Sequence, residues 1–338
     1  MSTRLEIEFN AARDIEYAHQ DPTFARVLHI FAGGWHGIRS ATGCLPGLKL
    51  AVPHDHSMSG LDLHTIVSVI VTHRVSNVVY QGYSATVHEL ARILAQDFGR
   101  GLNQFVVTHV SPSQFEHLFE LRMLGLIRDN LRSGVLRKVA SVKPGFHETV
   151  PFVDPQLIFN CGPMLKPFPA LGCADYVFIP VENTWRKNLY VNVLAAIASD
   201  VEYVLCVNQP SELDHIAPLD KITVLGWQTP AILRETMRSA CCVLNVTLTE
   251  CQPMVQLEAL SVGTPCITGP CRLPGLEAHE LTRLTEVDVL DAPSCVTTAI
   301  NRIRELRRTD ETGVQQLVRD YLDRRLNLCI DSYSALLS

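Results

Sequence analysis

Two carboxylates, Glu250 and Glu258, stand eight positions apart in the stretch TECQPMVQLEALSVGTP, residues 249–265. An ionised carboxylate is a hydrogen-bond acceptor only, so it suits hydroxyl groups such as those of a sugar or ribose better than it suits phosphate. The apolar run CCVLNVT (241–247) directly before Glu250 reads as a strand, and PMVQLEALSVG (253–263) as a short helix with Pro at its start and Gly at its end. The unpaired N–H groups of that helix's first turn, with the macrodipole, attract an anion. A diphosphate flanked by two polyols fits this arrangement: a nucleotide sugar, ribose on one side and hexose on the other. The competing account is an ordinary capped helix with an acid at each end, and the strand before the pair and the Pro after Glu250 weigh against it.

Two cations accompany the pair. Arg186 and Lys187 in ENTWRKNLYVNVLAA (182–196) fall where a strand gives way to a helix. There they can hold a diphosphate and stabilise its charge as it leaves, although a solvated pair at a helix start is the plainer alternative. Gly33 and Gly34 in FAGGWHG (31–37) follow the first strand, where missing side chains let backbone approach a phosphate or sugar. A plain turn explains them nearly as well. PHDHS (53–57) has the ligand types of a metal site but no third ligand at usable spacing, so no metal is assigned.

The elements that must position these residues alternate. RVLHIFAGG (26–34), NVVYQGY (77–83) and NQFVVTH (103–109) read as strands, with ATVHELARILAQDFG (85–99) an amphipathic helix among them. The Pro- and Gly-rich segment FNCGPMLKPFPALGC (159–173) breaks the rhythm as a hinge. Strands then resume at 175–181, 202–208, 221–227, 241–247 and 264–269, with helices at 186–199, 229–240 and 253–263, and two helical patterns close the chain near 294–307 and 313–336. This predicts an α/β fold: two Rossmann-like doubly wound domains facing a central cleft. The boundaries are an N-terminal acceptor-side domain over 1–165, a nucleotide-sugar domain over 166–315, and a C-terminal helix over 316–338 that packs back on the first domain.

The stretch around Glu250 resembles the E-x7-E motif of GT-B glycosyltransferases, most like the retaining glycogen-synthase-like and mannosyltransferase-like enzymes. VLGWQTPAILRETMRSACCVLNVTLTE, which precedes it, looks like that family's approach to the motif. The resemblance spans nearly all of the second domain and is fragmentary in the first. It implies that Glu250 contacts the donor sugar and Glu258 the ribose. Lys187-Asn188 matches the family's Lys before Gly or Asn, whereas the family's Arg about five residues earlier is here Glu182. His109 matches a His that reaches the transferred sugar, where its imidazole bonds a hydroxyl or the departing oxygen. The family's Gly-rich turn after the first Glu is here Cys251-Gln252-Pro253, which has less space and fewer backbone donors and puts Gln252 beside the sugar. The implied activity is transfer of a sugar from a nucleoside-diphosphate sugar, UDP-sugar first among them, to a hydroxyl acceptor. The implied chemistry is retaining, with His109 and Glu250 as catalytic residues and no obligatory cofactor. A nucleotide-sugar epimerase or hydrolase of the same architecture, or a non-catalytic binding module, are the alternatives.

Residues 122–143 carry Arg122, Arg128, Arg132, Arg137, Lys138 and Lys143 interleaved with leucines and isoleucine. Such a run can lie on an anionic membrane surface or grip a phosphate-bearing acceptor, nucleic acid included, or simply be a solvated helix face. The net charge of −6 gives no support to general nucleic-acid binding. Eleven cysteines without paired CxxC spacing, several inside strand-like runs, fit free thiols in a reducing cytoplasm. The Met-Ser-Thr-Arg start has no apolar signal core, which adds to the expectation of a cytoplasmic protein, peripheral to a membrane if the basic run docks there.

Overall fold

The computed structural model describes residues 6–8, 22–54, 58–163, 173–210, 213–215, 219–288 and 292–338. Most of the Pro- and Gly-rich hinge segment, the Asp-His-Ser of PHDHS and the first five residues lie outside them. The chain divides into two compact units, Met1–Met164 with Arg325–Ser338, and Leu165–Arg324.

Strands of the first unit are β1 Glu6–Glu8, β2 Val27–Ala32, β3 Leu48–Val52, β4 Asn77–Gln81, β5 Asn103–Thr108 and β6 Lys138–Ser141. Its helices are α1 His36–Gly43, α2 Gly60–Thr72, α3 Ala85–Phe98, α4 Leu118–Arg132 and α5 Phe146–Thr149. The sheet order is β1-β3-β2-β4-β5-β6, parallel except for β1. Strands buried on both faces read as apolar runs rather than alternations, as in VLHIFA and NVVYQ. One face packs Leu28, Ile30, Val78, Tyr80 and Val106 against Ile66 and Ile70 of α2, Leu90 and Leu94 of α3 and Ile127 of α4. Local signals set the helix ends. Ser59 and Asp62 form a capping box on α2, Ser84 caps α3, and Gly99 ends α3 with φ of 54°.

The second unit has β7 Tyr176–Ile179, β8 Tyr203–Cys206, β9 Ile222–Val224, β10 Cys242–Asn245 and β11 Cys266–Thr268. Its helices are α6 Leu189–Ile197, α7 Pro230–Ser239, α8 Met254–Ser261, α9 Glu280–Thr285, α10 Pro293–Thr309 and the start of α11, Glu311–Leu337, which continues into the first unit. All five strands run parallel in the order β11-β10-β7-β8-β9. Val177, Ile179, Val204 and Leu244 face α6 and α10, while Phe178, Val243 and Cys266 face α7 and α8. The sheet is therefore covered on both sides, and its strand order reverses between β7 and β10.

Some features of the chain differ from the sequence reading. Thr229 does cap α7 and Pro230 does open it, but Pro253 sits one place before α8, in extended conformation, and Met254 is the first helical residue. The basic run over 122–143 is not one helix. It leaves α4 at Arg132 and becomes β6 at Lys138. Within it, Arg137 donates to the Ser338 carbonyl at 2.8 Å and Lys138 to the Ala335 carbonyl at 3.4 Å, satisfying acceptors at the C-terminal end of α11. The eleven cysteines are free thiols. Among the described residues no helix is long and apolar enough to cross a membrane.

Candidate functional site

In an open parallel sheet, ligands bind outside the carboxyl ends of the strands, where the strand order reverses. In the second unit that place lies between β7 and β10. Arg186 and Lys187 follow β7 in a single 3-10 turn, Trp185–Lys187, and Glu250 lies on the loop that leaves β10. Separated by 63 residues in sequence, Lys187 Nζ donates to Glu250 Oε1. Arg186 Nη1 lies 3.8 Å from the same oxygen and also donates to the Thr249 carbonyl at 3.4 Å. Backbone joins them as well, since the Leu248 N–H donates to the Arg186 carbonyl at 3.0 Å. The three charged side chains are partly open to solvent, Arg186 at 27%, Lys187 at 19% and Glu250 at 17%. Two cations thus share one carboxylate in a partly desolvated place, where charge–charge terms are stronger than at the surface.

What holds this geometry is a residue that sequence reasoning passed over. Asn192, fully buried on α6, accepts from the Val246 N–H at 3.1 Å and donates to the Val246 carbonyl at 2.9 Å and to the Asn188 carbonyl at 2.8 Å. One side chain therefore fastens the exit of β10 to the start of α6. Asn188 closes the 3-10 turn in the left-handed region, at φ of 53° and ψ of 43°, which reorients the chain so that α6 starts directly behind Lys187. Asparagine tolerates that conformation better than most residues with a Cβ. An Asn inside an otherwise apolar helix face, VNVLAAI, is the signal that a buried polar clamp was present.

Gln252 is buried beside Cys251 in the loop before α8, and Glu258 is half-buried on that helix. Neither is joined to Lys187 by a contact found among the described residues.

In the first unit the strand order reverses between β2 and β4. Gly33 and Gly34 follow β2, and a Cβ at these positions would stand 3.4 Å from Ala51 Cβ and 3.3 Å from the His54 ring respectively. Gln81 ends β4, and Gly82 follows it at φ of 76°, where a Cβ would come within 2.8 Å of Ile38. The close approach that demands glycine is therefore at Gly82, under Trp35 and Ile38 at the start of α1, more than at the Gly33–Gly34 pair. His109 stands just past β5, half-buried, with Nε2 3.0 Å from Gln81 Oε1. Burial lowers its pKa from the usual value to about 4, so the ring is neutral at physiological pH. Among the described residues no group of His, Cys, Asp and Glu could hold a metal ion.

Comparison with known proteins bears on the second unit most directly. Residues 185–306 match the family model for glycosyl transferases, group 1. The matched stretch contains Arg186, Lys187, Asn192, Glu250, Gln252 and Glu258. No curated protein matches the chain by sequence. Among solved structures, sucrose-phosphate synthase from Thermosynechococcus elongatus aligns with a TM-score of 0.58 at 13% identity, covering 92% of this chain and 97% of that one. The UDP-forming α,α-trehalose-phosphate synthase of Burkholderia vietnamiensis aligns at 0.54 and 10% identity, covering 92% and 97%. S. aureus TarM, solved with fondaparinux, α-GlcNAc-glycerol and UDP, aligns at 0.53 and 10% identity over 76% of this chain, which spans only 55% of the TarM chain. The fold class is α/β, two Rossmann-like units of the GT-B kind, as the strand–helix rhythm predicts.

Proposed function

We propose that this chain moves a sugar from a nucleoside-diphosphate sugar to a hydroxyl acceptor, with retention of configuration. The observation that carries the proposal is the meeting of Lys187, Arg186 and Glu250 at the strand-order reversal of the unit that matches the glycosyltransferase family model. A diphosphate needs cations and a helix N-terminus beside it. The cations are here, and α8 begins four residues beyond Glu250. In this reading Glu250 holds the two cations in register before the donor arrives. The donor's phosphates then share them, and Lys187 and Arg186 stabilise the leaving diphosphate. Glu250 accepts from a hydroxyl of the donor sugar, Gln252 lies against that sugar, and Glu258 accepts from the ribose. Gly33 and Gly34 offer backbone to the donor, and His109 meets the transferred sugar. In a retaining transfer of this type the departing diphosphate takes the proton of the incoming hydroxyl, so no residue of this chain is required as nucleophile.

UDP is the first nucleotide to try: one structural relative was solved with UDP and another is named as UDP-forming. On the acceptor side, Arg137 and Lys138 are engaged by α11, so the basic surface for an anionic membrane or a phosphate-bearing acceptor narrows to Arg122, Arg128 and Arg132 of α4, with Lys143 beyond β6. Exposed Leu118, Phe119 and Leu121 at the start of the same helix favour a lipid surface over nucleic acid.

The test is a turnover screen of the purified chain against UDP-, GDP-, ADP- and dTDP-sugars, with and without hydroxyl acceptors. Diphosphate release that rises with an acceptor supports transfer. Free or epimerised sugar without any acceptor response would instead mean a hydrolase or epimerase, and binding without turnover a non-catalytic module.

A further inference from the structure

The underside of β2 and β4 carries polar side chains where an apolar core is the rule. His29 is fully buried in β2 and Gln81 is 1% exposed at the end of β4. Tyr333 of α11, also fully buried, closes over them, its ring edge-on to His29 at 5.7 Å between centroids. Such groups persist in a core only when hydrogen-bonded, and the bonds here form a chain whose direction can be worked out.

The chain starts at a carbonyl. His29 Nε2 lies 3.0 Å from the Pro46 oxygen, which can only accept, so Nε2 carries the proton. Burial, helped by the nearby Lys49 charge, lowers the His29 pKa to about 3, so the ring is neutral and its Nδ1 is a bare acceptor. Gln81 Nε2 lies 3.1 Å from that Nδ1 and must donate to it. The same amide nitrogen donates its second proton to the Tyr333 hydroxyl at 2.8 Å. With its nitrogen committed twice, Gln81 turns its carbonyl oxygen to His109 Nε2 at 3.0 Å. A carbonyl accepts only, so His109 Nε2 bears the proton and Nδ1 the lone pair.

We propose that Gln81 is a positioning residue that holds His109 as its Nε2–H tautomer, its own orientation dictated by Pro46 through His29, with Tyr333 from the C-terminal helix accepting its second amide proton. This rests on the reading of His109 as a group that meets the transferred sugar, and it narrows that role. With the proton on Nε2 and bonded to Gln81, Nδ1 is an acceptor, unable to donate to a departing oxygen. The last residues of α11 thereby border the site, because Tyr333 accepts the second amide proton of Gln81.

The test is long-range 1H–15N correlation NMR of the histidine rings in the full chain, with His109 assigned by its loss in His109→Gln. The unsubstituted chain is expected to show a protonated Nε2 and an unprotonated Nδ1 on His109, with the Nε2 proton protected from solvent exchange. In Gln81→Met the two tautomers of His109 should interconvert and that protection should vanish. In Gln81→Glu the Nε2–H tautomer should persist while the His109 titration midpoint rises by ~1 pH unit or more, because a carboxylate now accepts from it. A purely structural Gln81 would move neither signature. A proton on Nδ1 in the unsubstituted chain, an Nε2 proton exchanging freely with solvent, or a tautomer and midpoint unchanged in both Gln81 variants would overturn the proposal. Should either variant fail to fold, the proton position and its exchange in the unsubstituted chain still decide. No nucleotide sugar is present in this experiment, so its failure is distinct from a failure of the donor reading.

Discussion

Replacing Asn192 by leucine removes the clamp behind the charged cluster while nearly keeping the side-chain volume. Three hydrogen bonds go: one from the Val246 N–H, and one each to the carbonyls of Val246 and Asn188. The Asn188 carbonyl keeps its helical bond from the Asn192 N–H, so its loss is small. Val246 is 1% exposed, and water cannot replace what its N–H and carbonyl lose. An unsatisfied buried group costs roughly 1–3 kcal/mol, so the two together predict a destabilisation of ~2–6 kcal/mol. That is a large share of a domain's usual ~5–15 kcal/mol. Asn192→Asp is the sharper companion. Its carboxylate still accepts from the Val246 N–H but faces two carbonyl oxygens where an amide donated. That repulsion raises the folded-state pKa of the new carboxyl above its unfolded value, so Asn192→Asp should be most stable below the unfolded pKa and lose stability as pH rises from there through the folded pKa. Urea unfolding followed by tryptophan fluorescence reads the second unit, where Trp185 and Trp227 lie, once Trp35 of the first unit is replaced by Phe in every chain compared. A loss below ~1 kcal/mol for Asn192→Leu, or a pH trend of the opposite sign for Asn192→Asp, would refute the clamp.

Other expectations follow from the same geometry. Arg304 grips Asp175 with two bonds at 2.6 and 2.5 Å and holds its carboxyl below the usual range. Its stabilisation is present above the unfolded pKa and fades as pH falls through the folded one, so Asp175→Asn should cost up to ~1 kcal/mol near neutrality and little in acid, by urea titration at both pH values. Gly33→Ala places its Cβ at an ordinary contact distance of 3.4 Å from Ala51, so the chain should fold normally. If backbone there approaches the donor, the donor KM should rise several-fold, and an unchanged KM removes Gly33 from the site. Arg122→Glu with Arg128→Glu should weaken binding to anionic vesicles while sparing donor binding, and equal vesicle binding by flotation would discard the docking surface.

Much of this architecture was legible in the residues because the signals were local. Parallel strands buried on both faces leave apolar runs, and β2, β4, β5, β7, β8 and β10 all announce themselves that way. Ser84, Thr229 and Gly99 mark helix ends by their own chemistry. Strand β3 was missed because Lys49 interrupts its apolar run, yet that lysine is 3% exposed. Strand β6 was hidden by Arg137 and Lys138, whose charges turn outward to the end of α11 and say nothing about the backbone between them. At the site, residue types and their place at strand ends pointed to Lys187 and Glu250, but their direct pairing depends on the β7–β10 adjacency, which the order of strands in sequence does not reveal. Gln81, His29 and Asn192 were overlooked for one physical reason. A polar residue in an apolar run looks like an error until its partners, distant in sequence, are known.

The central claim is that the cations beside Glu250 receive a nucleotide diphosphate. Calorimetric titration of UDP into the unsubstituted chain, Lys187→Ala and Lys187→Ala with Arg186→Ala tests it most directly. The account predicts saturable binding that weakens at least ~10-fold in the single variant, the order of a lost charge-assisted hydrogen bond, and further in the double variant. Undiminished UDP affinity in both variants would contradict it.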